Sequence, residues 1–434
     1  MPQELSAQQN PQEFLGKLFE KAVAAADPAH CLQTYLPAPP KGRTIVIGAG
    51  KAAASMARAV EDNWPGALTG LVVTRYQHGL DCNRIEVVEA AHPVPDQKGI
   101  DAASRILAMV ENLSADDLVL CLISGGGSAL LSIPAPGITL IEKQDINRQL
   151  LKSGAPIDAM NTVRKHLSAI KGGRLAKAAF PARIVTLAIS DVPGDDPAII
   201  ASGPTVFDQS TPQDAYDILQ EYKIDLPESI EKHLTGETAA LISNQAHPEN
   251  TYQLIATPQS SLEAAAQYCL DHKIRPLILG DAIEGEARVV ARQMADFIRS
   301  FIANDLSGGW PVAILSGGET TVTLKGNGRG GRNAEYLLAL GLALDHTPDI
   351  YSIACDTDGI DGSEDNAGAR FGPDTLERAK SLNINPLAML DNNDGYGFFE
   401  KLDALIFTGP TRTNVNDFRA TYITRSRARA CPRV

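Results

Sequence analysis

Twice in its first third the chain runs a short apolar stretch into glycines and then resumes with small and aliphatic residues. Residues 44–47 (Thr, Ile, Val, Ile) meet Gly48, Ala49, Gly50 and Lys51, and a helical pattern follows towards Asn63. Residues 118–123 (Leu, Val, Leu, Cys, Leu, Ile) meet Ser124, Gly125, Gly126, Gly127 and Ser128 before Ala129, Leu130 and Leu131. Strand, glycine turn and helix in succession form the unit of a doubly wound α/β sheet, because parallel neighbours need a covering crossover between them. Such a turn also aims several backbone N–H groups at one spot. With a helix dipole behind them, those groups favour an anion. The alternative is a tight turn with no ligand.

The rest of the pattern fits the same class. Further strands are expected near 71–74, 86–90 and 183–189, and amphipathic helices over 13–26 and 101–112. The clearest helix is expected over 160–179. Met160, Val163, Leu167 and Ile170 form its apolar stripe, and Arg164, Lys165, Ser168 and Lys171 gather charge on the other side. Arg164 and Lys171 are therefore candidate anion-binding residues, against the alternative of a solvated basic face. The polar stretch 211–250 is taken as the end of a first domain, with a boundary at 245/246. Beyond it, strands are expected at 252–256 and 275–279, and helices at 260–270 and 285–302. The apolar run 311–315 then enters Ser316, Gly317, Gly318 and Glu319, which echoes the Ser124 stretch and suggests a second anion-holding turn.

Charge and cysteine content narrow the class of function. A formal charge of −13 on 434 residues argues against a general nucleic-acid surface but leaves room for a local basic cleft. Six scattered cysteines show no CxxC pair, so neither a zinc site nor a disulfide framework is indicated. No apolar run has the length of a membrane span, and the polar first residues lack a signal-peptide core, which together point to the cytoplasm.

Several residues stand out chemically. Lys51 follows two glycines at a helix start, as a point charge for phosphate or carboxylate would. A nicotinamide dinucleotide would want an acid at the end of the next strand, but Arg75 stands there, which disfavours NAD and leaves NADPH open. Carboxylates cluster after two strands, as Asp191, Asp195 and Asp196 and again as Asp356, Asp358 and Asp361. Oxygen ligands on such turns suit Mg2+, with Asp191 and Asp195 the foremost candidates, while ordinary capped turns are the alternative. Arg329 and Arg332 project from a glycine-dense segment, 325–331, into an apparent helix start at Asn333. Glycine turns, three cations on such segments and two acidic clusters fit phosphoryl transfer to a small acidic acceptor. No nucleophile elbow supports a hydrolase.

These motifs together resemble class II glycerate kinases, the glycerate 2-kinase family with a C-terminal MOFRL domain. The resemblance rests on Gly48 to Ala53, Ser124 to Leu131, Met160 to His166, Ser190 to Asp196, Ala201 to Thr205, Gly330 to Asn333 and Thr357 to Gly362. It spans about residues 12–420. It implies a Rossmann-like N-terminal domain (1–245), a smaller α/β C-terminal domain with a mixed sheet (246–434), and an active site in the cleft between them. It implies ATP- and Mg2+-dependent phosphorylation of D-glycerate, usually at the 2-hydroxyl. Lys51 and Arg332 stand where the family has its catalytic lysine and arginine. Asp191 is expected as base or metal ligand, and Asn333 and Asp358 join the binding set with the glycine turns. Ala334 replaces a usual Gln, and Arg412 a usual Gly. Some members carry the name hydroxypyruvate reductase, which is the second reading and would need NAD(P)H. Small molecules are the expected partners, neither nucleic acid nor membrane, and a homodimer is the expected assembly.

Overall fold

The structure, a computed structural model, describes residues 10–236, 247–304, 309–344, 347 and 349–424. The arginine-rich end of the sequence (Arg425, Arg427, Arg429, Arg433) lies outside the described residues. The chain forms two compact units. One is Pro28–Ile255, and the other joins Ala256–Val434 to the N-terminal residues up to Asp27.

The first unit is built on strands β1 (Thr44–Ala49), β2 (Thr69–Arg75), β3 (Ile85–Ala90), β4 (Leu118–Ile123), β5 (Arg183–Ile189) and β6 (Thr251–Ala256), in the order β3-β2-β1-β4-β5-β6. The pairings from β3 through β5 are all parallel. Every residue of β1 and β4 is buried, which is why both read as unbroken apolar runs rather than as alternating ones. Helix Gln97–Val110 covers the sheet with Ala102, Ala103, Ile106 and Val110. The Asp96 side chain accepts the Gly99 N–H at its start. Burial of each large aliphatic side chain here contributes roughly 1.5–3 kcal/mol. Cys121 sits in this core, and burial pushes its thiol up to about 12, as an inert core cysteine requires.

Two expectations are corrected here. The domain boundary does not fall at 245/246, because β6 completes the first sheet beside β5. The N-terminal helix Pro11–Ala25 belongs to the other unit, where Phe14, Leu15 and Leu18 pack with Leu262, Ala265 and Tyr422. Nor is 160–179 one helix. Helix Ile157–His166 stops, and Leu167 to Ala169 pair with the extended segment at 133–135 before helix Arg174–Ala179 begins. The basic face expected along one long helix therefore does not exist. Lys165 pairs with Asp208 at 3.3 Å, and Lys171 turns inward with 2% of its surface exposed.

The second unit carries β7 (Arg275–Ile278), β8 (Gly285–Glu286), β9 (Val312–Gly318), β10 (Thr320–Thr321), β11 (Ile350–Asp356), β12 (Gly368–Phe371), β13 (Leu405–Ile406) and β14 (Asp417–Ile423). Six of them form a mixed sheet, β13-β12-β11-β14-β9-β7. The pair β7-β9 is parallel and the remaining pairs are antiparallel, while β8 and β10 form a small parallel pair. The second glycine turn expected after 315 is absent. Ser316, Gly317 and Gly318 continue β9 and pair with β14, and the Gly317 N–H is taken by the Gly280 carbonyl. No helix among the described residues is long and apolar enough to cross a membrane.

Candidate active site

In the first unit, winding reverses between β1 and β4, whose C-terminal ends lie in register with Ala49 opposite Ile123. Ligands of doubly wound sheets bind outside the strand ends at such a point. The two glycine turns that open the sequence argument interlock there. Lys51 N–H donates to the Gly125 carbonyl at 2.8 Å, and Ala52 N–H to Ser124 Oγ at 2.9 Å. A β-carbon on Gly50 would stand 2.1 Å from Ser124 Oγ, and the Gly50 φ of +139° is one that side chains avoid. One on Gly48 would stand 2.2 Å from the Leu122 carbonyl oxygen. These glycines let one turn lie against the other. Ser124, fully buried, locks the Lys51 turn in place.

The helix that follows this loop is only Gly127–Leu130, too short for the dipole the sequence led one to expect. Charge comes instead from side chains. Lys171 Nζ donates to Ser128 O at 2.5 Å and Ser128 Oγ at 2.8 Å, and Ser128 Oγ lies 2.7 Å from Ser202 Oγ. A cavity of about 390 Å³ opens beside the loop. His92, Gly126 and Ser128 line one side, with Lys143, Arg164 and Lys171 also in its wall. Arg164 is held by amides, Asn147 Oδ1 at 2.7 Å and Asn161 Oδ1 at 3.3 Å. Burial lowers its pKa and brings that of Lys143 to about 7. Burial, then repulsion from Lys143 and Arg164, takes Lys171 well below the ordinary lysine range.

Asp191 and Asp195 follow β5 on one turn, and Asp195 Oδ1 is buried with no hydrogen-bond partner. Among the described residues no three or more His, Cys, Asp or Glu side chains gather as a metal cage.

In the second unit the central order β11-β14-β9 brings three carboxylates to one sheet edge, since Asp417 pairs with both Asp356 and Gly318, the residue before Glu319. Arg332 opens helix Arg332–Ala343 and meets all three. Nη1 lies 2.6 Å from Glu319 Oε1, Nη2 2.8 Å from Asp356 Oδ2, and Nε 2.9 Å from Asp417 Oδ1. Burial works against the guanidinium charge, but Asp417, Asp356 and Glu319 outweigh it and hold the arginine more firmly protonated than usual. Burial likewise works against ionising Asp417, yet Arg332 and Arg419 keep its pKa below the ordinary value. Asp361 caps the helix, accepting the N–H groups of Asn333 and Ala334 at 2.9 Å each. Complete burial nevertheless raises its pKa to about 6.

The glycine-dense segment is not a flexible ligand cradle. Its backbone N–H groups are spent on residues 392–394, with Lys325 and Gly326 on Asn393 Oδ1 and Gly328 on the Asn392 carbonyl. A β-carbon on Gly331 would stand 2.3 Å from Asp361, so close packing explains the glycine. Arg329 pairs with Glu364 at 2.6 Å and stacks over Tyr396, leaving Arg332 to the cluster. Asp358 is buried and accepts the Ile360 N–H. Arg412 holds a φ of +60°, which the glycine usual at this place would adopt freely. Lys143 and the role of Asp417 were missed from sequence, while Asp361 was noted as one of an acidic cluster but not as the cap of this helix. The capping box of Thr139 and Glu142 marks the start of helix Leu140–Ser153 in the sequence, but it marks only the helix and not the cavity that Lys143 borders.

Comparison with known proteins agrees with this architecture. Residues 14–235 match the family described as a domain of unknown function (DUF4147), and residues 312–417 match the MOFRL family. The chain is 52% identical to a putative hydroxypyruvate reductase of Agrobacterium vitis, over 95% of this chain and 94% of that one. It is 39% identical to the D-glycerate 2-kinase of Thermotoga maritima, over 92% of this chain and 95% of that one. A crystal structure of glycerate kinase from Thermotoga maritima superposes with a TM-score of 0.87 at 37% identity, covering 95% of this chain and 99% of that one. With its six-stranded Rossmann-type unit, its mixed-sheet MOFRL unit and these relatives, the chain belongs to the MOFRL-containing glycerate kinase family.

Proposed function

We propose that the protein is a cytoplasmic kinase that transfers the γ-phosphoryl group of ATP to the 2-hydroxyl of D-glycerate, with Mg2+. The observation that carries this reading is a cationic cavity beside the Lys51 turn, in a chain similar to proteins named glycerate 2-kinase. Phosphoryl transfer asks a protein mainly to position two anions and to neutralise charge as it shifts. Lys51, fixed by the Ser124 loop, is assigned to the transferring phosphoryl group. Arg332 is assigned to neutralise phosphoryl charge, and its Glu319 partner, half exposed, is the contact an incoming phosphoryl oxygen would replace. Asp356 and Asp417, nearly or fully buried, keep the guanidinium in place during that exchange.

Asp191 is assigned to accept the proton of the attacking hydroxyl or to help hold the metal. The unpartnered, buried Asp195 oxygen on the same turn suits Mg2+, which takes one or two carboxylates and completes its shell with water and phosphate. Bound there, Mg2+ would supply neutralisation of phosphate charge. Two Agrobacterium vitis relatives carry the name putative hydroxypyruvate reductase, which supports the second reading, an NAD(P)H-dependent reductase. Arg75 at the end of β2, where NAD would want an acid, disfavours NAD and leaves NADPH as the nucleotide of that reading. One experiment separates the two readings. Purified protein should form ADP from ATP, Mg2+ and D-glycerate, with a product that enolase converts directly. NADPH oxidation by hydroxypyruvate without ADP formation would overturn the kinase reading, and an enolase-inert product would move the transfer to the 3-hydroxyl.

A further inference from the structure

We propose that Lys143, Arg164 and Lys171 line a receptor for one compact oxyanion, the carboxylate of the hydroxy acid or a phosphoryl group. Only the identity of the ligand rests on the kinase reading. The charge balance of the cavity carries the inference. No Asp or Glu is among the residues that wall it, in a chain whose acids outnumber its bases, 52 to 39. Lys171 is 2% exposed, yet its hydrogen bonds go to Ser128 and Ser202 oxygens, and Arg164 is held by two asparagines. Lys143 reaches the Ile133 carbonyl at 3.5 Å. It lines the cavity together with Leu140, Ile146 and Leu150.

Withdrawing like charges from water costs several kcal/mol per ion unless a counter-charge is supplied. Elsewhere Arg332 has three carboxylates, Arg288 has Glu335 and Lys165 has Asp208. An oxyanion would supply it here, and the Arg164 fork matches carboxylate and phosphoryl oxygens equally well. Pockets of about 300–1,000 Å³ are the usual size for small ligands, and about 390 Å³ takes a three-carbon acid with water to spare.

Binding should also move protons. With Lys143 at about 7 and Lys171 well below its ordinary range, the empty site holds less than its full charge near neutrality. His92 and Arg148 are the other titratable or charged groups lining it. A bound anion raises the lysine values, so binding takes up protons above pH 7. It takes up fewer at lower pH, where Lys143 is already charged, and affinity falls as pH rises.

The test is calorimetry on the full chain with D-glycerate, inorganic phosphate and ADP as separate probes, in buffers of different ionisation enthalpy. Wild type should bind at least one probe with proton uptake at about pH 8 that shrinks at about pH 6. Lys143→Met should weaken that probe about tenfold or more and abolish the Lys143 share of the uptake. Lys143→Arg, charged throughout, should restore affinity but not that share of the uptake. Glycerate as the responsive probe identifies the carboxylate as the source, and phosphate or ADP identifies the phosphoryl group. Unchanged affinity and uptake in a folded Lys143→Met protein, or no binding of any probe to wild type, overturns the proposal. ADP formation with an unaltered KM in Lys143→Met sinks the cavity and spares the kinase. Lys143-dependent glycerate binding with no ADP formation by wild type does the reverse.

Discussion

Around Arg332, three carboxylates meet one guanidinium within 2.9 Å, whereas Lys171 shares with Lys143, Arg148 and Arg164 a cavity that no carboxylate lines. Both regions border glycine-rich sequence, Arg332 after Gly330 and Gly331 and the cavity beside the Gly125–Gly127 turn that follows β4. Their electrostatics are opposite. The Arg332 region is balanced by the protein itself, and its cost of burial is met by Asp356 and Asp417 before any ligand arrives. The Lys171 region leaves its charge to be balanced from outside. A self-balanced site holds a group in place, and an unbalanced one selects what enters.

The contrast breaks most readily at Arg332. Arg332→Ala should cut kcat by about 10²-fold or more if the guanidinium neutralises developing charge. It should also destabilise the second unit by about 3–5 kcal/mol, because buried Asp356 and Asp417 each lose an ion pair, Asp417 keeping Arg419. Since instability could itself abolish turnover, Arg332→Lys is the sharper variant. It keeps the charge but cannot span three carboxylates, and a folded protein with kcat within twofold of wild type would remove the three-way grip from the mechanism.

Lys51→Ala should lower kcat to a comparable degree while shifting the melting temperature little, because the Lys51 and Ala52 backbone N–H groups that hold the turn to Gly125 and Ser124 survive the substitution. A large drop in melting temperature would show that Lys51 is structural. Gly50→Ala tests the interlock itself. Its β-carbon cannot fit 2.1 Å from Ser124 Oγ, so a loss of about 1–3 kcal/mol with weakened substrate binding is expected, measured by denaturant melts and KM.

Asp361→Asn probes the self-balanced side more gently. The amide can accept only one of the two helix N–H groups, so about 1–3 kcal/mol should be lost at pH 7. Because the folded Asp361 value of about 6 lies above the unfolded one, its own contribution to stability falls as pH rises from about 4 to 6. Melts across that window should show a shallower fall in the Asn variant, and an identical pH profile would dismiss the assignment. The smallest effect is expected at Arg412→Gly, where relief of a left-handed φ should be neutral to about 1 kcal/mol stabilising.

Much of the fold was legible because strands β1, β4 and β5 are buried on both faces and so appear as apolar runs ending in turn residues. The helix boundaries near 170 were not, because the apolar stripe of 160–170 continues past the point where Leu167 and Ala169 leave the helix to pair with residues 133–135. Strand β14 went unnoticed even though it lies at the heart of the second sheet, since Asp417 and Arg419 interrupt its apolar character and are buried as an ion pair, with Arg332 also on Asp417. Of the site, Lys51 and Arg332 stood out by their glycine neighbours. Lys143 did not, because a lysine on an ordinary capped helix carries no mark of the cavity it will border.

The sequence by itself determined the class of fold, the places where strands end, and the chemical types available there, since these depend on apolar patterning and turn residues that are local along the chain. Only the tertiary structure decided which of those ends converge. Strand order set Lys51 against the Ser124 loop, drew Asp356, Asp417 and Glu319 around Arg332, and left Lys143, Arg164 and Lys171 without a carboxylate in their cavity. Charge balance is a sum over neighbours in space, and residues far apart in sequence do not declare which of them will be neighbours.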